Sequence, residues 1–558
     1  MYERIQKICD YLKKENTNSE PYINKEISEK FKIYKNWLIE NGALFDKNID
    51  FPITYGPFHK IGCKSISNIN ENEAILLIPK SLIINSEDLH FLDKYLENIL
   101  DDLSDEEIPT IYLTLYLFLE KQNPQSFYKP FIDIIFLKEQ NDKFKIDNKW
   151  HEKNLDELND EIVINSFESM LNNTDDIFNL IKQCDKFSKM NKNEFLDCYY
   201  QIISKKIDLN DKNNNSIIVP LIDLFVQDSE IKLRYEIYDS ENMIFKFNSL
   251  FNVQNNDKVN LQMTKSNFLP FNKPSYNKLL PFIVNYNKDN EEDEDEDDES
   301  KELFKLNNND YFSMALTKNE KILKDSIICC NQYYPSNKKM LKTKGFCLLY
   351  NRNDYMNIKF KFNRGELLTD KYLENIFGDL YQTRNDDPIY NTLKIKIEFN
   401  DISSNLLKYY RFMYFYDTKK NAKEYFKYHF DLKLELSIIN LSIDFLKNKL
   451  KMMETNYSLE VDIKNLENEL YEKKDPDYFV TNLLMFRISQ KIILKNQIEL
   501  LSYILKIMTK YNNSISGYNN IFDYIDKEKN ENEYDKEEYT RMKILRFIAY
   551  MSKTIDLM

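Results

Sequence analysis

The sequence contains few glycines, and their positions exclude two common classes of nucleotide site. Only 7 glycines occur among the 558 residues, at positions 42, 56, 62, 345, 365, 378 and 517. No two of them have the spacing of a GxGxxG or a GxxxxGK[ST] loop. Those loops need glycine because their backbone approaches a phosphate closely. The sequence therefore predicts neither a dinucleotide-binding loop nor a P-loop.

Histidine and cysteine are also scarce. The 4 histidines are far apart without an HExxH pattern, and the 7 cysteines include no CxxC pair. A zinc site built from locally spaced ligands is therefore not expected. The start, MYERIQKICDYLKKEN, lacks the apolar segment of a signal peptide, and no run of about 18 uncharged apolar residues follows. We expect reduced thiols, no membrane segment, and a cytoplasmic or nuclear location, or both.

The chain has a modest net negative charge, and this charge is unevenly distributed. The 91 acidic and 77 basic residues give a net charge of −14, and nine of the negative charges form one run at 291–299. Lys and Arg alternate with Asp and Glu elsewhere, so a nucleic-acid surface is not expected. The segment at about 230–310, which contains this run, is predicted to be a disordered, solvated insertion. An acidic docking segment for a basic partner is the alternative.

Hydrophobic periodicity separates strand-rich from helical parts of the chain. An amphipathic helix is predicted over 31–46, with Phe31, Tyr34, Trp37 and Leu38 buried and its end near Gly42. The remaining predictions follow in chain order: paired strands over 51–85, mainly helix over 86–210, a buried strand and turn over 216–226, strands at 311–315 and 326–330, two or three strands from about 350, and nearly continuous helix over 421–511.

Six segments carry signatures that occur together in one protein family. In chain order they are NWLIENGALFD with IGCKSISNINENEAILLIPKSLII, LYLFLEKQNPQSFYKPFIDIIF, EFLDCYYQIISKKI, IVPLIDLF, QYYPSNKKMLKTKGF, and METNYSLEVDIKNLENEL with RISQKIIL. They resemble SET-domain protein methyltransferases of the Rubisco large-subunit methyltransferase type, over about residues 31–510.

The resemblance implies an α+β fold in which a mostly-β SET core, containing a pseudoknot, precedes an all-α C-terminal domain. The implied divisions are an N-terminal helix and linker over 1–30, a SET domain over 31–350 with a helical insert at about 95–210, and a helical substrate-binding domain over 351–558. We expect a monomer that binds its protein substrate between the SET core and the helical domain, with no nucleic-acid or membrane partner.

The resemblance also implies a site for S-adenosyl-L-methionine. Tyr333 matches the tyrosine that lines the methyl-transfer channel and orients the amine. The cofactor-binding positions are Gly62, Lys205, Asp223, Val226, Gln227 and Phe346. Structural roles remain open alternatives: a core tyrosine at 333, a hairpin glycine at 62, a structurally paired carboxylate at 223, and a packing aromatic at 346. No metal is implied.

Several positions depart from the family pattern. The Asn-His pair of the family is Val226-Gln227, the first glycine of Gly-x-Gly is Lys60, and the tyrosine of Tyr-Gly-Phe is Lys344. The arginine of Ser-Arg is Lys205, which keeps the charge but loses the bidentate fork. Two functions therefore stay open. One is methylation of a lysine, less readily a histidine, of a non-histone protein, and the other is a catalytically inactive SET-derived protein-interaction module.

Methyl transfer by such an enzyme has few chemical requirements. Methyl transfer from a sulfonium to an amine requires the two reactants to be aligned in a site from which water is excluded. A lysine amine titrates at about 10.4 in water, so it must lose its proton before it can attack. Burial favours that loss because it disfavours the charged form.

Overall fold

The computed structural model describes most of the chain outside the long insertion. The described ranges are 2–16, 22–41, 43–45, 49–69, 74–137, 161–209, 215–228, 233–238, 311–316, 322–330, 336–351, 353–363, 381–382, 390–399, 402–417 and 432–513. The acidic run at 291–299, almost all of the predicted insertion, and Tyr333 lie outside the described residues.

Two compact units divide the chain. The first consists of Met1–Tyr334, Lys339–Cys347 and Glu467–Leu483, and the second of Pro335–Lys338, Leu348–Leu466 and Leu484–Met558. Residues 1–30 belong to the first unit. Glu467–Leu483, within the predicted helical domain over 351–558, also belongs to the first unit, and that domain stays a prediction.

Helices account for much of both units. The described α-helices, numbered in chain order, are α1 Tyr2–Leu12, α2 Lys25–Glu40, α3 Asp93–Leu96, α4 Ile108–Gln122, α5 Lys129–Ile135, α6 Glu161–Gln183, α7 Lys192–Lys205, α8 Asn337–Lys344, α9 Ser404–Asp417, α10 Leu432–Met453, α11 Leu459–Glu467 and α12 Tyr478–Asn513. None of these described helices combines the length and the apolar character that crossing a bilayer would require.

Helix α2 confirms the predicted amphipathic pattern. Its first turn is capped by Asn24, whose side chain accepts the backbone N–H of Ile27 at 2.9 Å. This cap satisfies one of the donors that a helix N-terminus leaves without an intrahelical partner. Phe31, Tyr34, Trp37 and Leu38 are all buried. The bounds differ from the predicted 31–46: the helix begins at Lys25 and ends at Glu40, and Leu44–Phe45 is a strand.

The predicted strands are present as short ladders. In chain order they are β1 Leu44–Phe45, β2 Ile49–Tyr55, β3 Lys60–Ser65, β4 Ala74–Pro79, β5 Ile84–Asn85, β6 Ile207–Asp208, β7 Ser216–Ile218, β8 Val226–Gln227, β9 Leu233–Tyr238, β10 Tyr311–Leu316, β11 Cys329–Cys330, β12 Tyr355–Asn363, β13 Tyr381–Gln382 and β14 Tyr390–Glu398. The sheet orders are β1-β4-β10-β9, β2-β3, β5-β7-β6, β8-β11 and β12-β14-β13. With the helices, these small sheets give an α+β fold.

The segment that ends in β11 lies between two other strands of the first unit. The backbone N–H of Ile328 donates to the carbonyl of Cys63 in β3 at 2.9 Å, and its carbonyl accepts from Val226 of β8 at 3.0 Å. Strand β11 pairs with β8 in parallel. Residues far apart in the chain, Gly62-Cys63, Val226-Gln227 and Cys329-Cys330, are therefore neighbours. The pseudoknot itself stays a prediction.

The C-terminal domain is not all-α, contrary to the prediction. Strands β12, β13 and β14 form an antiparallel sheet at the start of the second unit. Met356 and Ile358 alternate with more exposed residues, as do Leu393, Ile395 and Ile397. This period of two buries one face of the sheet, which a helix cannot do with the same pattern. The local pattern had indicated two or three strands here, and the all-α assignment came only from the family resemblance.

The two signature segments quoted for the helical domain contact each other in the second unit. The Asp462 carboxylate of α11 accepts from Arg487 Nη2 and from Lys491 Nζ, both at 2.6 Å. Lys491 also donates to the carbonyl of Tyr457, and the Arg487 guanidinium lies 4.3 Å from the centre of the Tyr457 ring. Asp462 is fully buried. The signatures therefore form a buried ionic cluster that joins α11 to α12.

Candidate active site

The residues predicted around the cofactor lie on separate elements of the first unit, and several of those elements meet. Lys205 ends α7, and its Nζ lies 3.6 Å from Oδ2 of Asp223 in the 3₁₀ turn Ile222–Leu224. The carbonyl of Leu224, in that turn, faces Gly62 of β3. Val226-Gln227 follows directly as β8. This arrangement brings Gly62, Lys205, Asp223, Val226 and Gln227 into one neighbourhood.

Gly62 is required by close packing at this point. A Cβ atom added there would lie 2.9 Å from Cε1 of Tyr55 and 3.2 Å from the carbonyl oxygen of Leu224. Contacts that short force a neighbour to move, and the Leu224 oxygen belongs to the backbone. The Sγ of the next residue, Cys63, donates weakly to the same oxygen at 3.6 Å. The packing of β3 against the 222–224 turn thus accounts for this glycine without a ligand.

The turn that carries Asp223 has unusual backbone geometry. Leu221, the residue before it, has φ of 77° and a fully buried side chain. Non-glycine residues adopt positive φ rarely, and such sites recur where surrounding structure fixes a functional group. The sequence required Asp223 to have a partner, and the structure provides Lys205. The side chains of Lys205 and Asp223 are 21% and 14% exposed, so the pair is only partly shielded from water.

Val226 and Gln227 are held by the parallel ladder. Val226 packs against Ile53, Ile327 and Cys329. The Nε2 of Gln227 donates to Sγ of Cys330 at 3.5 Å. Valine at this position therefore contributes to a small apolar cluster, where the family's asparagine would have placed an amide.

Phe346 is connected to the site through Lys60. The Nζ of Lys60 lies 4.9 Å from the centre of the Phe346 ring and 4.5 Å from that of Tyr478. The same Nζ donates to the Tyr478 hydroxyl at 2.7 Å. Aromatic faces attract cations at such distances. Lys60 thus lies between two rings, one of which belongs to a predicted cofactor residue.

Tyr478 was not predicted from the sequence. It begins α12, which Asp477 caps by accepting the backbone N–H groups of Phe479 and Val480 at 2.8 and 3.1 Å. It is 418 residues away from Lys60 in the chain. Nothing local distinguishes it from the other tyrosines, of which the sequence has 39 in all. Only the folded first unit brings it to the site.

The electrostatics of the site are dominated by three lysines. Burial, and secondly the charge of Lys205, lower the pKa of Lys60 to about 7. Burial is also the main cause that lowers the pKa of Lys344 to about 8, with Lys205 and Lys339 adding repulsion and Asp223 opposing it. Burial raises the pKa of the Cys330 thiol to about 12, so this neighbour is neutral at pH 7.

Asn337, in the segment QYYPSNKKMLKTKGF, has a structural role. Asn337 is fully buried in the second unit, where its Nδ2 donates to the carbonyl of Leu348 at 2.8 Å. Its Oδ1 accepts from the Leu348 N–H at 3.0 Å and from Asn351 Nδ2 at 3.3 Å. The Asn337 side chain therefore holds the turn after Cys347 through hydrogen bonds. In the described ranges, no group of three or more His, Cys, Asp or Glu side chains could hold a metal ion.

The donor set can be tested against S-adenosylmethionine, which carries a carboxylate, an ammonium, a sulfonium and an adenine. Lys205 offers a cation to the carboxylate, and Phe346 offers a ring. The sulfonium would be repelled by ammonium groups at Lys60 and Lys344. Because the pKa values of these two lysines are lowered to about 7 and 8, Lys60 is mostly neutral at pH 8, whereas Lys344 becomes mostly neutral only above about pH 8. The residues fit the cofactor in that protonation state.

Comparison with known proteins finds similarity only to solved structures. No family model matches the chain, and no curated protein is significantly similar to it. The chain is similar to the SET domain of LSMT bound to lysine and AdoHcy, with a TM-score of 0.49 and 14% identity over 90% of this chain and 99% of that one. It is similar to Rubisco LSMT bound to AdoMet, with a TM-score of 0.48 and 14% identity over 86% and 93% of the two chains.

Proposed function

We propose that this protein is an S-adenosylmethionine-dependent methyltransferase that modifies a lysine, less readily a histidine, of a non-histone protein in the cytoplasm or nucleus. The observation that carries the proposal is the meeting of the Lys205–Asp223 pair with β3 and β8, to which Phe346 is linked through Lys60. These positions were assigned to the cofactor from sequence signatures alone. Convergence of separate signatures on one neighbourhood is expected of a binding site.

Each of these residues would have a separate role. The cofactor, when bound, supplies an electrophilic methyl group. Lys205 would hold its carboxylate, Asp223 would keep Lys205 in place, and the ring of Phe346 would flank the ligand. Tyr333 would orient the substrate amine.

Lys60 indicates how the surroundings of this site change the pKa of an amine. An ordinary lysine titrates at about 10.4, whereas the pKa of Lys60 is lowered to about 7 by burial and by Lys205. A substrate lysine that enters the same surroundings would meet the same desolvation and the same repulsion. Its amine would then be neutral at physiological pH and able to attack. The protein thus needs no separate strong base.

A catalytically inactive SET-derived interaction module is the second candidate. The observation that favours it is the packing of Lys60 between Phe346 and Tyr478, together with the apolar packing of Val226. Both features fill space beside the predicted cofactor positions with the protein's own side chains. The two candidates differ in whether methyl groups are transferred.

Tyr333→Phe is expected to lower methyl transfer by about 100-fold, because losing the group that orients the reacting amine has effects of this size. The assay incubates full-length protein with S-adenosylmethionine labelled in its methyl group and a soluble protein extract, and measures labelled methyl-lysine after acid hydrolysis. Cofactor affinity, measured by calorimetry, should change less than about twofold.

Tyr471→Phe is the matched control, since this tyrosine is 48% exposed in the first unit. Its methyl transfer should equal that of the wild type. Equal transfer by Tyr333→Phe and wild type would contradict the assigned role of Tyr333. Cofactor binding without any methyl-lysine product would favour the interaction module.

A further inference from the structure

Asp354 is a buried carboxyl group of the second unit, and the described side chains that contact it carry no charge. It directly precedes β12 and is 1% exposed. Its Oδ1 accepts the backbone N–H of Asn337 at 3.0 Å, and its Oδ2 lies 3.3 Å from Oγ of Ser489 and 3.2 Å from Nε2 of Gln490. An ionised carboxylate is costly to bury without a cation, whereas the neutral acid is buried at a much lower cost.

The backbone of Asp354 keeps the carboxyl group in this position. Its N–H donates to the carbonyl of Asn351 at 3.0 Å, and its carbonyl accepts the N–H of Phe399, directly after β14, at 3.0 Å. The residue is thus fixed from both sides of the chain. The carboxyl group therefore cannot turn towards water without breaking these contacts.

Charged groups near these contacts do not neutralise Asp354. The described titratable groups within three residues of the contacts along the chain are Lys338 and Lys339 on α8, Tyr355 on β12, Lys396 and Glu398 on β14, and Arg487 and Lys491 on α12. Arg487 and Lys491 bind Asp462, and Lys396 lies 3.0 Å from Glu398. Arg352 lies outside the described residues. In the described part of the chain, no cation forms an ion pair with Asp354.

The hydroxyl of Ser489 indicates where a proton lies. Its Oγ is 2.8 Å from the carbonyl oxygen of Phe486 and 3.3 Å from Oδ2 of Asp354. A serine hydroxyl has one hydrogen, and a carbonyl has none to donate, so the shorter contact uses the hydrogen of Ser489. The contact between Ser489 and Asp354 then needs a hydrogen from Asp354. Only a protonated carboxyl group can donate one.

We propose that Asp354 is a pH-sensitive switch, which holds a proton on Oδ2 in the folded protein up to about neutral pH and makes the second unit less stable when that proton leaves. Burial raises the pKa of Asp354 to about 7, in agreement with this geometry. After ionisation Ser489 would have to donate to Asp354 and give up its hydrogen bond to Phe486. The switch does not involve the proposed cofactor site.

The sign of the effect follows from the direction of the pKa shift. The pKa of Asp354 is about 7 in the folded chain, whereas an aspartic acid in an unfolded chain titrates at about 3.9. The folded state therefore binds the proton more tightly. The stabilisation is fully present below about pH 4 and is lost as pH rises to about 7. Within that window one such group increases the unfolding constant by up to about 10-fold per pH unit.

The first test is urea unfolding of the full chain, followed by circular dichroism between pH 5 and 8, for the wild type and for Asp354→Asn. Asparagine is similar in size to aspartic acid, stays neutral and can donate from its amide to Ser489. We expect the unfolding constant of the wild type, divided by that of Asp354→Asn, to rise about 10-fold per pH unit from about pH 5 to 6.5 and to level off above about pH 7.5. The control, Asp444→Asn, removes an exposed carboxylate on α10 and should leave the wild-type pH profile unchanged.

Infrared spectroscopy detects the proton in the folded wild type, because a protonated carboxylic acid and a carboxylate have separate C=O stretching bands. We expect a protonated-acid band at pH 6 that is lost by pH 9 and that Asp354→Asn lacks. Burial also raises the pKa of Asp462, which is bound by two cations. The band should therefore persist in Asp462→Asn.

Three results would overturn the proposal: no protonated-acid band in the wild type at pH 6, an equal band in Asp354→Asn, or parallel pH profiles for the wild type and Asp354→Asn. The infrared measurement on the wild type needs no variant, so it can overturn the proposal even if Asp354→Asn does not fold. Neither test uses S-adenosylmethionine, so failure here would leave the methyltransferase proposal intact.

Discussion

Replacing Asp462 by alanine is expected to lower the free energy of unfolding by about 3–5 kcal/mol, the range for removing one partner of a buried ion pair. Asp462 is fully buried and accepts from Arg487 and Lys491 at 2.6 Å. The Arg487 and Lys491 side chains are only 7% and 3% exposed. Without Asp462 these two cations would remain buried without their carboxylate. Urea unfolding monitored by circular dichroism measures the loss.

Two variants make the Asp462 experiment decisive. Glu26→Ala removes an exposed ion pair with Lys30, 2.7 Å long on helix α2, and should destabilise the protein far less than Asp462→Ala. Asp462→Leu combined with Arg487→Met should recover part of the loss, since one unpaired cation is removed and apolar volume is kept. A destabilisation by Asp462→Ala no larger than that of Glu26→Ala would show that the ionic cluster does not hold α11 against α12.

Replacing Lys60 by methionine is expected to increase S-adenosylmethionine affinity by about 10-fold at pH 6, because one positive charge is removed beside a cationic ligand. At pH 7 the gain should be about twofold, because Lys60, with a pKa of about 7, is already half neutral there. Lys60 lies on the ring of Phe346, which the family resemblance places beside the cofactor. Methionine is flexible and apolar, so it can fill much of the same space between the rings. The measurement is calorimetry at pH 6, 7 and 8.

The pH profile distinguishes the charge of Lys60 from its shape. In the wild type, affinity should rise between pH 6 and 8 as Lys60 loses its proton with a pKa of about 7. In Lys60→Met the affinity should rise less over this pH range, because only Lys344 still loses a proton. Lys60→Arg keeps its charge at all these pH values and should bind weakly throughout. Equal affinity for Lys60→Met, Lys60→Arg and the wild type would show that Lys60 does not face the cofactor.

Local patterns in the sequence predicted much of the fold. The burial pattern of α2 and the strands of 49–85 follow from hydrophobic periodicity. A strand at 311–316 agrees with the one predicted at 311–315. The same patterning indicated the strands that make up β12 to β14. The prediction of an all-α C-terminal domain was wrong because it replaced this local evidence with a property of the resembling family.

The site was predictable only in part. The lysines at 60, 205 and 344 were visible as departures from a family pattern, but the sequence gives no distances between them. The effect of Lys205 on the pKa values of Lys60 and Lys344 depends on burial and proximity, which arise only in the folded chain. The contact of Lys60 with Tyr478 joins positions 418 residues apart, so no local pattern encodes it. Gly62 was singled out for a ligand, whereas the structure shows a packing requirement.

The most direct test is to titrate the full-length protein with S-adenosylmethionine at pH 8 and to measure binding by calorimetry and by thermal shift. We expect a dissociation constant on the order of 10 micromolar, which is about 7 kcal/mol of binding free energy. A ligand that binds only the native state also raises the melting temperature as its concentration increases. Lys205→Met should weaken binding, while Tyr333→Phe should not. Absence of heat and of a thermal shift at millimolar cofactor would contradict the account and would favour the interaction module.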